Sequence, residues 1–590
     1  MESHEKTAKD KGSIPNSNTV GTSALERQST VEAHGIPPAQ KQLKDLDDLL
    51  PYVGGFGWYQ RLLFLLMVPY SFYFAFVYFG QIFMTLVPEQ HWCYVPELAN
   101  MSVVERRYLS IPQTNNKFDK CLVYDVDWKM LVQNGSLHPN PKWQTKKCQN
   151  WEFNFTDVPY ETIATQQGWV CDRDNYPATA QSIFFCGAIV GGLIFGWIAD
   201  KYGRIPALTG ANVAGLIGGI GTVFTNNFWS FCLCRFIVGL AFDNCFMLMY
   251  IIVLEYVDPK WRTFVANMSI AIYFTFAACL LPWIALGVAD WKVYTLIISV
   301  PLALALFTKF VVPESARWLI SQGRVEEALK IIGTCERINR KKIPDEIIQE
   351  FRRTAVEIAR AEQEIKNYSV IDLFRTPRLR RHSILLVVIW MSIAMVFDGH
   401  VRNVGTLGLD MFTTFTVATA TEFPADLLLI LTLDVIGRRW LAFGSMVWSG
   451  VFCFFATLVP IGIQTASLAI VGRFAANISF NIGLQYAAEL LPTVVRAQGL
   501  ALIHISGYVA TILTPYIVYM ATISPDIPLF ILGALGIFGG ILCLFLPESM
   551  GKDMPQTIQD GEDYGKEQRF WEFPCCKRKK YEDSKQKIKY

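Results

Sequence analysis

The chain has 590 residues, of which 52% are hydrophobic, 14% aromatic and only 18% charged, and its formal net charge is +2. Soluble domains carry roughly 25% charged residues, so the composition excludes an ordinary soluble protein. Near-neutral charge without a basic stripe of interleaved aromatics excludes a nucleic-acid binder. The expected class is an all-α membrane protein.

Residues 1–57 are polar and of mixed charge, which reads as a disordered tail without a signal peptide. Twelve apolar runs follow, each long enough to cross ~30 Å of hydrocarbon: 61–87, 177–200, 207–225, 228–256, 262–287, 291–312, 383–405, 411–433, 440–461, 464–490, 497–521 and 526–547. They group into an N-terminal six-helix bundle over 58–312 and a C-terminal one over 383–549. Lys and Arg gather in alternate loops (Lys201 and Arg204, Lys260 and Arg262, 313–382, Arg438 and Arg439, Arg496), which the positive-inside rule faces to the cytosol. Both termini are then expected to be cytoplasmic, in the plasma membrane.

The first external loop, 88–176, is long and polar. Its Cys93, Cys121, Cys148 and Cys171 suggest two disulfides, with all three pairings open. Sequons at Asn100, Asn134 and Asn154 lie in the same loop, and glycosylation requires the same side of the membrane. Segment 313–382 shows helical spacing of apolar residues and reads as a cytoplasmic helical linker. Residues 550–590 form a second cytoplasmic tail; its Cys575-Cys576 and Lys577–Lys580 read as a solvated tail, with palmitoylation or acidic-lipid contact as the alternative.

Three motifs recur at one constant interval. Asp200, Gly203 and Arg204 match Asp434, Gly437 and Arg438; Glu255 and Arg262 match Glu489 and Arg496; Pro313-Glu314-Ser315 matches Pro547-Glu548-Ser549. Arg235 and Arg473 correspond after a short insertion. Two halves built on one plan are expected, as in transporters with internal repeats. The glycines permit tight turns. Asp200 and Asp434 are expected to pair with arginines across the cytoplasmic mouth, and Arg262 and Arg496 to reach Glu255 and Glu489 or a helix end, forming a bistable latch.

Ionisable residues within spans cost about 2.5–3.5 kcal/mol at a helix centre and are functional candidates by default. On a continuous fourth helix, Asp243, Phe246 and Tyr250 share a face, and a carboxylate with two rings suits an amine. The alternative is a structural bridge from Asp243 to Arg235. Asp398 stands near Trp390 and Phe397 in the seventh span; Glu422 and Asp426 lie in the eighth, and His504 and Tyr508 one turn apart in the eleventh. For Glu422 a helix-packing role weighs as much as substrate contact. Tyr78 is the aromatic of the first span expected to face a cavity. No Walker loop, HExxH, paired CxxC or catalytic triad competes with this, so neither an enzyme nor a cofactor is expected.

Gly196-Trp197-Ile198-Ala199-Asp200-Lys201-Tyr202-Gly203-Arg204, the duplicated Glu and Arg pairs, Pro313–Leu319 and Asp372–Arg381 together resemble the major facilitator superfamily, and within it the organic cation/carnitine transporter family. The resemblance covers about 45–550 and implies two pseudo-symmetric six-helix bundles, a central cavity, alternating access and a large disulfide-bonded, glycosylated first loop. It places the family's cavity aromatics on Phe246, Trp390 and Phe397 and its eighth-helix acid on Glu422. This chain has Tyr508 where cation carriers have an Asp and anion or carnitine carriers an Arg. Asp243 replaces a common Lys, and Asp398 a Gln, so negative charge is relocated within the cavity. The expected substrate is a small amine-bearing cation or zwitterion, such as a carnitine-like, β-alanine-like or imidazole-amine compound; coupling to sodium or a proton stays open. One rival is an organic-anion carrier, needing a cavity cation beyond Arg235 and Arg473, for which Arg402, expected near the outer surface, is the candidate. The other is a non-transporting receptor or scaffold, against which two complete sets of gating motifs argue.

Overall fold

The computed structural model describes residues 46–114, 117–133, 138–140, 142–365 and 368–571. Twelve helical segments are long and apolar enough to span a membrane, from Trp58–Met84 to Asp526–Cys543. They form two bundles of six, and each expected span overlaps one of them. The first span begins earlier than its apolar run because Gly57 starts the helix at Trp58 ahead of the polar Gln60 and Arg61. The second reaches back to Cys171, because a 3-10 turn leads into the helix Tyr176–Tyr202. The seventh starts at Pro377, whose fixed φ suits a first helical turn, so the linker ends sooner than hydropathy suggested.

The segment between the first two spans is a small domain of its own. Strand His91–Cys93 pairs with Trp151–Phe153, and Leu122–Tyr124 with Thr145–Lys147, both antiparallel. Trp92, Leu98, Ile111 and Trp128 are buried in its core. A core this small is typically held by disulfides: Cys93 bonds Cys148 and Cys121 bonds Cys171. Asn100 is exposed, Asn154 donates to Gln90 (3.3 Å), and Asn134 lies outside the described residues.

Within each half the three repeated motifs converge on one cluster. Gly203 and Gly437 adopt φ of 112° and 89°, turning the chain from one span into the next in a region that disfavours other residues. The new helix presents free N–H groups, and the Glu of the Pro-Glu-Ser motif takes them. Glu314 accepts from the amides of Arg204 (2.8 Å) and Ile205 (3.2 Å), and Glu548 from those of Arg438 (2.9 Å) and Arg439 (3.1 Å). A carboxylate there satisfies orphan donors and meets the positive end of the helix dipole. The following serine binds the third motif: Ser315 donates to Glu255, and Ser549 to Glu489 (2.6 Å).

The pairing expected for Asp200 and Asp434 is corrected, whereas Arg262 and Arg496 take the helix-end alternative. Asp200 and Asp434 pair inside their own halves, with Arg204 (2.7 Å) and Arg438 (3.0 Å), because one helical turn brings i and i+4 together. Arg262 does not reach Glu255; it grips Asp47 in the segment ahead of the first span, with Nη1 at 2.9 Å, and also donates to the Leu254 and Val257 carbonyls. Arg496 likewise takes a helix end, the Leu491 carbonyl at 3.1 Å, while Glu489 pairs with Arg438. The connecting segment is helical over Ala316–Ser321, Val325–Asn339 and Asp345–Ile365, and its Ile332, Cys335 and Phe351 share a core with Val53 and Tyr59.

Candidate functional site

A cavity of about 110 Å³ lies between the halves. Phe74, Phe242, Asp243, Phe246 and Phe274 line it from the first half, and Trp390, Phe397, Phe480, His504 and Tyr508 from the second. Local irregularities aim these side chains. The fifth span loosens into a π-helix over Ser269–Phe274, bringing Ile270 and Phe274 to the wall; such bulges recur at functional sites. The fourth span breaks between Phe228–Ala241 and Asn244–Glu255, and Asp243 stands at the break with φ +67°. With ψ -56° the residue has γ-turn geometry, which is rare and strained.

That break corrects the continuous face expected for Asp243, Phe246 and Tyr250. Asp243 and Phe246 both reach the cavity, whereas Tyr250 packs behind Phe246, ring centroids 5.7 Å apart, and is not part of the lining. The alternative bridge from Asp243 to Arg235 is also replaced. Arg235 donates from Nε to Gln81 (2.8 Å) over the Phe184 ring, while the Asp243 carboxylate lies 3.7 Å from His504 Nδ1. His504 and Tyr508 are 3.2 Å apart, ring nitrogen to hydroxyl.

Of the carboxylates of the second half near the cavity, Glu422 and Asp398 are matched by arginines and Asp426 is held by amides alone. Glu422 pairs with Arg473 at 2.6 Å, and Arg473 also donates to the Ala418 carbonyl (3.0 Å) and lies over the Phe397 ring. Asp426 accepts from Asn481 (2.5 Å) and Asn477 (3.4 Å). Asp398 does not line the cavity. It is buried behind Tyr78, whose hydroxyl donates to it at 2.7 Å, and pairs with Arg402 at 2.9 Å. Arg402 ends the seventh helix and stands, as expected, toward the end bearing the disulfide-bonded domain, in company with Thr85, Val87 and Asp174, but its side chain is only 9% exposed and lies over the rings of Tyr78 and Phe185. Burying Asp398 demands a partner, and i+4 on its own helix supplies one. Among the described residues no Arg or Lys lies within ion-pair distance of Asp243. One carboxylate thus faces aromatic walls with no guanidinium or ammonium of the protein beside it, an arrangement that can hold a substrate ammonium by charge and by ring faces.

Contacts between the halves gather toward the end that bears the disulfide-bonded domain. Besides Tyr78 and Asp398, Ser182 donates to the Ile512 carbonyl (2.7 Å), Tyr516 to Thr179 (3.1 Å) and Tyr519 to Asp174 (2.7 Å). Phe79 and Phe83 pack on Phe415 from across the interface. Sequence reasoning missed Phe242, Phe274 and Phe480, whose orientation depends on the helix irregularities and on packing. It also missed Asn477 and Asn481, though Arg473, Asn477 and Asn481 recur every four residues in an apolar span, a polar stripe that could have been read.

A family model described as "Sugar (and other) transporter" matches residues 153–558. The carcinine transporter of Drosophila melanogaster is 33% identical over 92% of this chain and 82% of its own length. Human solute carrier family 22 member 13 is 30% identical over 87% of this chain and 92% of its own. Among solved structures, the proton:xylose symporter XylE bound to 6-bromo-6-deoxy-D-glucose superposes with a TM-score of 0.54 at 15% identity, covering 88% of this chain and 100% of that one, a likeness of fold. The chain therefore belongs to the major facilitator superfamily, within the solute carrier 22 (organic cation transporter) family of membrane transporters, which are carriers and not enzymes.

Proposed function

We propose that this protein carries a small amine-bearing organic cation or zwitterion across the plasma membrane by alternating access, with both termini in the cytosol and the disulfide-bonded domain, glycosylated at Asn100, Asn134 and Asn154, outside. The observation that carries the reading is Asp243, an acid on the cavity wall with no Arg or Lys partner among the described residues and with His504 at 3.7 Å, surrounded by Phe242, Phe246 and Tyr508. A carboxylate would supply the charge and each ring face about 0.5–2 kcal/mol depending on desolvation. The relative named for carcinine transport supports an amine substrate. An organic anion fits the site less well, because the arginines nearest the cavity, Arg473 and Arg402, are matched by Glu422 and Asp398.

Substrate release would require the contacts around Tyr78, Asp398 and Arg402 to part on one side while the repeated clusters, each closed within its half, move as rigid units. The test is uptake of a radiolabelled panel by cells expressing the protein: a permanent cation, carnitine, β-alanine, a histamine conjugate and an aromatic carboxylate, with and without sodium and at two pH values. Accumulation of amines but not of the carboxylate is expected, and the ionic conditions report the coupling ion. Selective carboxylate uptake would overturn the charge argument. Absence of uptake at confirmed surface expression would favour a receptor.

A further inference from the structure

A second cavity, of about 170 Å³, opens where the seventh, ninth and twelfth spans meet the segment that follows the last of them. Arg378, Arg381, His382, Arg439 and Arg569 line it, and no Asp or Glu does. The nearby acids lie beside these residues and act on Arg439 and His382 through space, but they are bound to backbone amides. Glu562 accepts from the backbone amides of Arg378 and Leu379, and Glu548 from those of Arg438 and Arg439, so neither forms an ion pair with the four guanidiniums.

Arg439 is the informative member. It is 3% exposed, its Nη2 donates to the Leu544 carbonyl at 2.5 Å, and its buried Nε has no partner. A buried donor left unmatched on a permanently charged group is costly, and an oxyanion in the cavity would satisfy it. Arginine forks suit phosphate oxygens, and four of them exceed what a single carboxylate could balance.

The surroundings indicate how such an anion arrives. Phe545 and Phe570, 44% and 42% exposed, line the cavity, and Trp571, 70% exposed, packs on Phe570, at the end of the spans that carries Arg438 and Arg496. Exposed aromatics at span ends are typical of the membrane–water boundary, and basic pockets on the cytosolic side hold phosphorylated headgroups.

We propose that this cavity is a binding site for a multiply phosphorylated anion, presented as the headgroup of an inositol phospholipid in the adjoining leaflet. The site is separate from the substrate cavity and stands or falls independently of which substrate is carried.

The test uses the purified full-length protein in detergent and a fluorescent short-chain phosphatidylinositol bisphosphate, read by anisotropy. The double variant Arg381→Gln/Arg569→Gln removes two exposed guanidiniums and should weaken binding at least tenfold with an unchanged unfolding temperature. Arg439→Gln should weaken it further; if that variant fails to fold, the surface pair still decides. Soluble inositol trisphosphate and short-chain phosphatidylserine serve as competitors. Displacement by the soluble headgroup at a concentration equal to that of the unlabelled lipid supports the site and assigns it a free polyphosphate; displacement by the lipid alone supports the headgroup. Binding within twofold of wild type in the double variant, or equal competition by phosphatidylserine, would overturn the proposal.

Discussion

Replacing Asp243 by Asn keeps the side chain's shape, and the backbone geometry at this position is common to both proteins. What it removes is the charge. An ammonium at about 4 Å from a carboxylate gains about 4 kcal/mol at an effective dielectric of 20. The Asp243 side chain is 22% exposed, so desolvation and screening offset part of that gain. The net loss expected for a hydrogen bond to a charged group is about 2 kcal/mol, which is roughly a thirtyfold rise in half-saturation. The assay is initial-rate uptake of a radiolabelled amine over a concentration series, normalised to surface-biotinylated protein. A neutral isostere of the same amine should be handled alike by both proteins. Unchanged half-saturation for the charged amine in well-expressed Asp243→Asn would refute Asp243 as the anchor.

Arg473→Leu should strand the buried Glu422 charge and destabilise the second half by about 3–5 kcal/mol; Glu422→Gln in the same chain should restore part of the loss in a thermal-unfolding assay. Tyr78→Phe removes the hydroxyl that donates to Asp398, so a cysteine replacing Phe185 should be labelled faster from the side bearing the disulfide-bonded domain; equal rates would exclude Tyr78 from that closure. Cys121→Ser should release a disulfide spanning 50 residues, at a cost of about 2–4 kcal/mol, read as faster proteolysis within 88–176. Burial pushes the Cys335 thiol up from 9.0 to about 12. Docking of the linker therefore takes up a proton above pH 9 and should weaken as the pH rises from there, and iodoacetamide at pH 8 should spare Cys335 until the protein is denatured.

Hydropathy made the twelve spans legible because burial in lipid forces long, uninterrupted helices on the chain. The four loop cysteines were legible as a set but not as pairs, since Cys93 meets Cys148 only through the strand pairing that precedes it. At the cavity, Phe246 was placed by its spacing from Asp243 and by family resemblance, and Trp390, Phe397 and Tyr508 chiefly by the resemblance. The break at Asp243 was not foreseen, because hydropathy carries no record of a single residue's φ. The pair of Asp398 with Arg402 follows helical spacing and was readable, yet Arg402 was weighed only as a cation near the outer end and not as the partner of Asp398. Asp47 reaches Arg262 and Arg317 across more than two hundred positions of sequence, a separation that no local pattern reports.

The repeated clusters have a consequence for the chain as a covalent object. Glu314 with Arg204 and Ser315 with Glu255 lie before Ile365, whereas Glu548 with Arg438 and Ser549 with Glu489 lie after Ser369. The linker helices bury Ile332, Cys335 and Phe351 in the core of the first half. Severing the backbone between Ile365 and Ser369 cuts none of these bonds. Continuity of the polypeptide at that point serves to deliver two partners in equal numbers to one membrane; it is not what holds either of them in shape.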